Sequence, residues 1–312
     1  MTRLLLLGDL HLSTTGPSIT PACPELESLD VDAIVSIGDI IDDNADHAGD
    51  TETGRTYEAR GRAFFEQLNE VGVPVLAVPG NHDPIECTNR LVDGLENVTV
   101  AHRRVVDGAD TSPALENLSF VGWGCEKFDL TPAFRYDRYS GIVPDLTTVE
   151  SVEQTATETA SKVASVVSSF LVGEFDAREA SVELGVSQDR RDTCAEGLVA
   201  LKEEYETIRG LISEDTGTRA KVLLSHESPF NVSFDYHHSA DGAERLLHRG
   251  SIPLKMAIAA TAPDVVFSGH MHVQGRDAVE TTDGYADIYN PGSPGVDFVE
   301  VDAESGSLRV VE

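Results

Sequence analysis

The chain has 312 residues, 40% of them hydrophobic, with 54 acidic against 23 basic side chains and a net charge of −31. Those values fit a soluble globular chain of one or two domains with a sizeable core. No run of 18 uninterrupted apolar residues marks a membrane span, and the shortage of cations argues against tight nucleic-acid binding. That second argument weakens at molar salt, where screening removes most electrostatic binding anyway. Five of the basic residues are lysine, 18 are arginine, and the acids are spread through every segment. Such a surface holds water while salt screens its self-repulsion, the pattern of proteins from a high-salt cytoplasm.

The four cysteines, Cys23, Cys87, Cys125 and Cys194, are scattered. Without a Cys-x-x-Cys pair they exclude a zinc knuckle or a thioredoxin-type dithiol and read as buried reduced thiols. The opening run Leu4-Leu5-Leu6-Leu7 resembles the core of a signal peptide. It lacks a small-residue cleavage site and meets Asp9 and His11 at once, so it reads as the first strand of a cytoplasmic protein.

In chain order, residues 4–7 are apolar at consecutive positions, as in a strand covered on both faces. Residues 13–24 are rich in Ser, Thr, Pro and Gly and read as loop, with a short helix at 24–29. A second strand at 32–37 ends at Gly38-Asp39-Ile40-Ile41-Asp42, and an acidic loop, 43–53, follows. Residues 57–71 carry Ala59, Ala63, Phe64, Leu68 and Val71 at helical spacing. A third strand, 73–78, closes on a Pro79-Gly80 breaker. Further strands are expected at 97–101, at 118–123 and in their surroundings. From 148 to 212 apolar residues recur every three or four positions, giving two long helices with a small third at 173–186. This stretch reads as an insertion into a single domain spanning 1–312: a helical layer on the sheet, a substrate cap or a dimerisation element. Strands return at 220–224, 263–267, 285–289, 296–301 and 308–311, with a helix at 254–261.

Five of these strand ends carry Asp9 and His11; Asp39 and Asp42; Asn81, His82 and Asp83; His226; and His270 and His272. In open α/β sheets, ligands bind outside the carboxyl ends of the strands. Five such groups, each beside Gly or Ser, form one pattern, because small residues allow close backbone approach. Oxygen and nitrogen donors without thiolate suit manganese, iron, zinc or cobalt rather than a structural zinc site.

The blocks Gly8-Asp9-Leu10-His11, Gly38-Asp39-Ile40-Ile41-Asp42, Gly80-Asn81-His82-Asp83, Ser225-His226 and Gly269-His270-Met271-His272 resemble the five motifs of the calcineurin-like metallophosphoesterases, complete and in order. The blocks frame the chain from residue 8 to 272 and leave out the helical region near 145–215; the composition suits a member of haloarchaeal type. The resemblance implies an α/β (α+β) fold, a four-layer α/β/β/α sandwich with two metal ions at one edge. One ion would be held by Asp9, His11, Asp39 and His272. The second would be held by Asp39, Asn81, His226 and His270, with Asp39 bridging. The ions implied are divalent transition metals, manganese first, with iron, zinc, cobalt or nickel open. They would turn a bridging water into hydroxide that attacks phosphorus. His82 would assist the leaving group as proton donor or electrostatic stabiliser, oriented by Asp42, while Asp83 braces the turn.

Asp43 stands where the protein Ser/Thr phosphatases of this family carry a phosphate-binding arginine, and the third block ends in Asp83 rather than Glu. The short blocks resemble the family's prokaryotic phosphodiesterases and phosphomonoesterases. Phosphate contacts must then come from elsewhere, with His237, His238, Arg135 and Arg138 as candidates. The loop 290–295 resembles an Asn-Pro-Gly-Ser turn shaping the site floor. The reading is a hydrolase of a small phosphate ester or nucleotide, with no membrane partner and the oligomeric state open. A nuclease of the same family and a noncatalytic scaffold on the same fold are the alternatives.

Overall fold

The computed structural model describes residues 1–13, 29–47, 51–128, 130, 134–139, 141–142, 149–214, 220–235 and 248–311. The short helix expected at 24–29 falls almost wholly outside them, as do Cys23, His237 and His238.

Two six-stranded mixed sheets stack face to face. The first runs β12 (Ser307–Val311), β11 (Gly295–Asp302), β1 (Thr2–Gly8), β2 (Ala33–Ser36), β3 (Val75–Ala77) and β4 (Val98–Val100). Its strands β1 to β4 are mutually parallel, and β11 and β12 add on antiparallel. The second runs β5 (Arg104–Asp107), β6 (Leu118–Trp123), β7 (Ala220–Ser225), β8 (Val265–Phe267), β10 (Gly284–Asn290) and β9 (Gly275–Thr281). There β6, β7, β8 and β10 are parallel, with β5 and β9 antiparallel at the edges.

The consecutive apolar runs are explained by the two-residue period of a strand. Leu4 and Leu6, with Ala33, Val35 and Leu76, face the other sheet and meet Phe120, Val222, Leu224, Val265 and Phe267. Leu5, Leu7, Ile34 and Val75 point the opposite way, onto α1 (Glu52–Glu70) and α2 (Ile85–Val92) through Phe64, Phe65, Leu68 and Leu91. On the second sheet Val121, Leu223 and Val266 face outward. They join Val163, Val167 and Phe170 of α4 (Val149–Leu171), Ala180 of α5 (Ala177–Glu183), Leu198, Leu201, Tyr205 and Ile208 of α6 (Arg191–Ile212), and Leu254 and Ile258 of α7 (Ile252–Thr261). The order of layers is therefore helix, sheet, sheet, helix.

Most boundaries lie within a few residues of the expected ones. The first long helix begins five residues early, because Thr51 caps it by accepting from the Gly54 amide and Glu52 to Thr56 form a polar first turn. Among the elements not anticipated are α2 and the edge strand β9, while β5 lies in the surroundings of the strand expected at 97–101. A four-residue helix, α3 (Gly108–Thr111), follows β5.

Candidate metal centre

The C-terminal ends of β1, β2 and β3 from one sheet and of β7 and β8 from the other meet at one edge. Each delivers its block there. Close approach is possible because two of the turns lack side chains. A Cβ on Gly38 would lie 2.4 Å from the Gly80 nitrogen and 2.9 Å from His226 Nδ1, and one on Gly80 would lie 2.1 Å from Asp39 Oδ1. The backbone is also held in an uncommon state. Asp9, His11, Asp39, His270 and His272 all have φ between 46° and 67°. Non-glycine residues rarely adopt that left-handed region, and such strain gathers where the surroundings impose it.

Buried hydrogen bonds impose it here. The Asp83 carboxylate accepts from the amides of Asp39 (2.9 Å), Ile40 (2.8 Å) and Gly80 (2.8 Å), tying the β2 and β3 turns together. The His82 amide donates to Asp39 Oδ1 at 2.7 Å, and the His270 amide donates to both Asp9 carboxylate oxygens at 3.0 Å. The 290–295 loop supports the same floor. Asn290 Nδ2 donates to the Gly269 carbonyl at 3.0 Å, and the Ser293 hydroxyl donates to the Asp9 carbonyl at 2.7 Å.

The side chains form three groups with ligand atoms within 4.8 Å of one another: Asp9, His11, Asp39 and His272; Asp39, His226 and His270; and His11, Asp42 and His82. Asp39 belongs to the first two. Asn81 joins the second, its Oδ1 lying 3.0 Å from His226 Nε2. His226 Nδ1 donates to the Ile37 carbonyl at 2.8 Å, which leaves Nε2 turned toward Asp39 Oδ2 at 3.4 Å. A histidine pinned through one nitrogen presents the other as a ligand. In the first group His11 Nε2 and His272 Nε2 face each other at 2.9 Å, and His272 Nε2 is 3.7 Å from Asp9 Oδ1.

These residues fit divalent ions on their own evidence. Oxygen and imidazole donors converge without a thiolate, and His11 Nε2 and His272 Nε2 are brought face to face beside the Asp9 and Asp39 carboxylates. Charge crowding points the same way. Burial pushes the Asp9 carboxyl up to about 7, with Asp39 adding to the shift. For Asp39 burial also pushes upward, but the imidazoles of His226, His82 and His11 outweigh it and hold the carboxyl below its usual range. For His226 burial pushes down, yet Asp39 beside it raises the imidazole to about 10. Burial lowers His11. A cation shared by Asp9 and Asp39 would relieve this frustration.

Exposure is graded. Asp9, Asp39 and His226 form a buried floor, whereas His272, His82 and Asp42 reach solvent, so a substrate approaches from their side. Asp42 Oδ1 stands 3.5 Å from His82 Nδ1 and also 3.4 Å from His11 Nδ1, a second relation the sequence did not signal. Of the expected phosphate contacts, Arg135 precedes and Arg138 ends a short 3₁₀ turn held against the helical layer, where Arg190 donates to the Arg138 carbonyl. His237 and His238 lie outside the described residues. Cys87, Cys125 and Cys194 are buried free thiols.

The fold and edge cluster define a metal-dependent phosphoesterase class. The chain belongs to the calcineurin-like phosphoesterase family, whose model matches residues 2–274. Among solved structures, TT1561 of Thermus thermophilus is 15% identical, with 100% of this chain and 99% of that one covered and a TM-score of 0.45. A second, the Thermus thermophilus sulfate thiohydrolase SoxB in complex with glycerol, is 14% identical, with 89% of this chain and 38% of that one covered and a TM-score of 0.33. No protein of curated function matched the sequence. Among the described residues no helix is long and apolar enough to cross a membrane.

Proposed function

We propose that the protein hydrolyses phosphate esters at a pair of divalent ions. The observation carrying this reading is the pair of ligand clusters that share Asp39. Asp9, His11, Asp39 and His272 would hold one ion, and Asp39, Asn81, His226 and His270 the other, with manganese the first candidate. Such ions supply Lewis acidity toward phosphoryl oxygens and toward water.

The chain's own residues do the rest. Asp39, fixed by the His82 amide on Oδ1, presents Oδ2 between the two groups. His82, near solvent and beside Asn81, stands on the open side and would give a proton to the departing alkoxide. Asp42 Oδ1, 3.5 Å from its Nδ1, would orient the ring. Asp83 holds the turn by three amides and takes no part in proton transfer. The 148–212 helices act as the outer layer of a single domain.

The deciding assay measures bound metal, then hydrolysis of p-nitrophenyl phosphate and bis-p-nitrophenyl phosphate with Mn²⁺ in high salt. Turnover with about two equivalents of metal supports the reading, and the preferred ester assigns mono- or diesterase character. No bound metal and no turnover of either ester would sink it.

A further inference from the structure

Next to the cluster lies a group of side chains to which the chemistry above gives no task. The chain crosses from β4 to the second sheet at His102, which bridges to Gly122, and the Arg103 amide donates to the Gly122 carbonyl at 2.8 Å. Residues 124–126 lie against the opening of the metal edge. The Cys125 amide donates to the Pro79 carbonyl at 2.9 Å, one residue before Gly80-Asn81-His82, and the Ile85 amide donates to the Cys125 carbonyl at 3.1 Å. The His226 amide donates to the Trp123 carbonyl at 3.1 Å. The group therefore sits on the His82 and Asn81 side of the cluster.

His102 Nδ1 accepts from the Gly124 amide at 3.0 Å, so in the neutral ring the proton is on Nε2. That Nε2 is buried without a hydrogen-bond partner among the described residues, in a side chain only 6% exposed. An unused buried donor is costly and uncommon. Beside it, Arg103 stacks over Trp123, its guanidinium carbon 5.2 Å from the ring centroid, and stays half-exposed. Arg103 has φ 53°, a strain that glycine would remove. Among the described residues a single acceptor faces both donors. Glu126 Oε1 lies 2.7 Å from Arg103 Nη1 and 3.8 Å from His102 Nε2, on a side chain 47% exposed. Glu126 thus stands as an anion between a charged fork and an unsatisfied N–H, satisfying the first and missing the second.

We propose that His102 and Arg103 form an anion subsite for a second phosphate of the substrate, one on the leaving-group side that is not hydrolysed, and that Glu126 fills it until the ligand arrives. The inference rests on the phosphoesterase reading for its choice of phosphate. A tetrahedral phosphate presents more acceptor oxygens than a carboxylate and can reach both donors at once. Exchanging Glu126 for a phosphate oxygen replaces one anion by another, so the Arg103 charge stays matched.

Two measurements test it on the 312-residue chain. In the first, inorganic phosphate is titrated by calorimetry into chelator-treated protein, so that binding needs neither metal nor turnover. Arg103→Met should weaken binding at least about tenfold, the loss of a charge-assisted pair. His102→Gln should weaken it less, and Glu126→Ala should tighten it. The gain in Glu126→Ala cannot come from misfolding. Three variants that bind phosphate as the parent does would overturn the subsite, whatever the enzyme hydrolyses. In the second, kcat/KM is compared for fructose 1,6-bisphosphate and fructose 6-phosphate with Mn²⁺. The parent should favour the bisphosphate, and Arg103→Met should bring the ratio toward one; a ratio unmoved by Arg103→Met also refutes the proposal. An enzyme that hydrolyses no ester yet binds phosphate through Arg103 and His102 would refute the hydrolase reading and leave the subsite standing.

Discussion

Gly38→Ala puts the assembly of the metal edge to its sharpest test. A Cβ at Gly38 would sit 2.4 Å from the Gly80 nitrogen, 2.6 Å from its Cα and 2.9 Å from His226 Nδ1, whereas ordinary contact begins at 3.4 Å. Relief needs a movement of about 1 Å in two turns that carry Asp39 and Asn81, as the difference of 3.4 and 2.4 Å shows. The φ of +92° adds about 1–2 kcal/mol of strain for any L side chain, and overpacking adds about 1–3 kcal/mol. The sum is about 2–5 kcal/mol, several degrees of melting temperature in a chain of this size. The larger effect falls on the ligands, since metal sites tolerate about 0.2 Å and a 1 Å misplacement costs about a hundredfold in rate. Gly72→Ala supplies the control: its φ is +80°, and nothing lies within 4 Å of the added carbon. It should lose about 1–2 kcal/mol and keep full metal content and activity. Thermal unfolding, metal analysis and kcat/KM toward p-nitrophenyl phosphate read the pair. If Gly38→Ala matches Gly72→Ala in metal content and turnover, the close-approach argument fails.

Other outcomes follow from the same geometry. His82→Ala should retain both metal equivalents and lose about a hundredfold or more on esters with poor leaving groups, less on p-nitrophenyl esters; loss of metal instead would assign His82 to ligation. For the chelated protein, His226 has a folded value of about 10 against an ordinary 6.5, so its contribution is complete below 6.5 and is lost as pH rises toward 10. Asp9, raised from 3.8 to about 7, likewise contributes below 3.8 and loses its share as pH climbs through 7. The melting temperature without metal should therefore fall between pH 7 and 10, and added Mn²⁺ should flatten the curve while releasing protons, measured by calorimetry in two buffers. A metal-free curve that rises with pH would contradict the ion pairing described for Asp39 and His226. Leu6→Ala, at a fully buried position between the sheets, should cost about 2–5 kcal/mol in denaturant unfolding; a loss below about 1 kcal/mol would show that the sheets are not packed as described.

The parallel strands were legible because both of their faces are covered. Leu4 to Leu7 must be apolar at every position when alternate side chains enter two different cores. The candidate ligands were legible because each follows such a run at a turn of small residues. Edge elements hid for the converse reason. In β9 exposed Arg276 and Ala278 alternate with partly buried neighbours, and only Val279 is buried, so charge and irregular apolarity conceal the strand. The helix α2 has eight residues and follows Pro84, too short for periodicity to speak. The group of His102, Arg103 and Glu126 had no local signal, because a crossing between sheets, not spacing along the chain, brings position 126 to positions 102 and 103.

The two sheets contribute unequally in time. His11 meets His272 across 261 positions, and His226 reaches Ile37 across 189. A ribosome adding about 5–20 residues per second releases the first three blocks many seconds before the last. Until then β1 also lacks β11, its antiparallel neighbour, and one side of the strand is open. The candidate ligand set is therefore incomplete until the final third of the chain has been made. That same final third supplies β11, the antiparallel neighbour of β1, so one stretch of chain closes both the first sheet and the candidate ligand set.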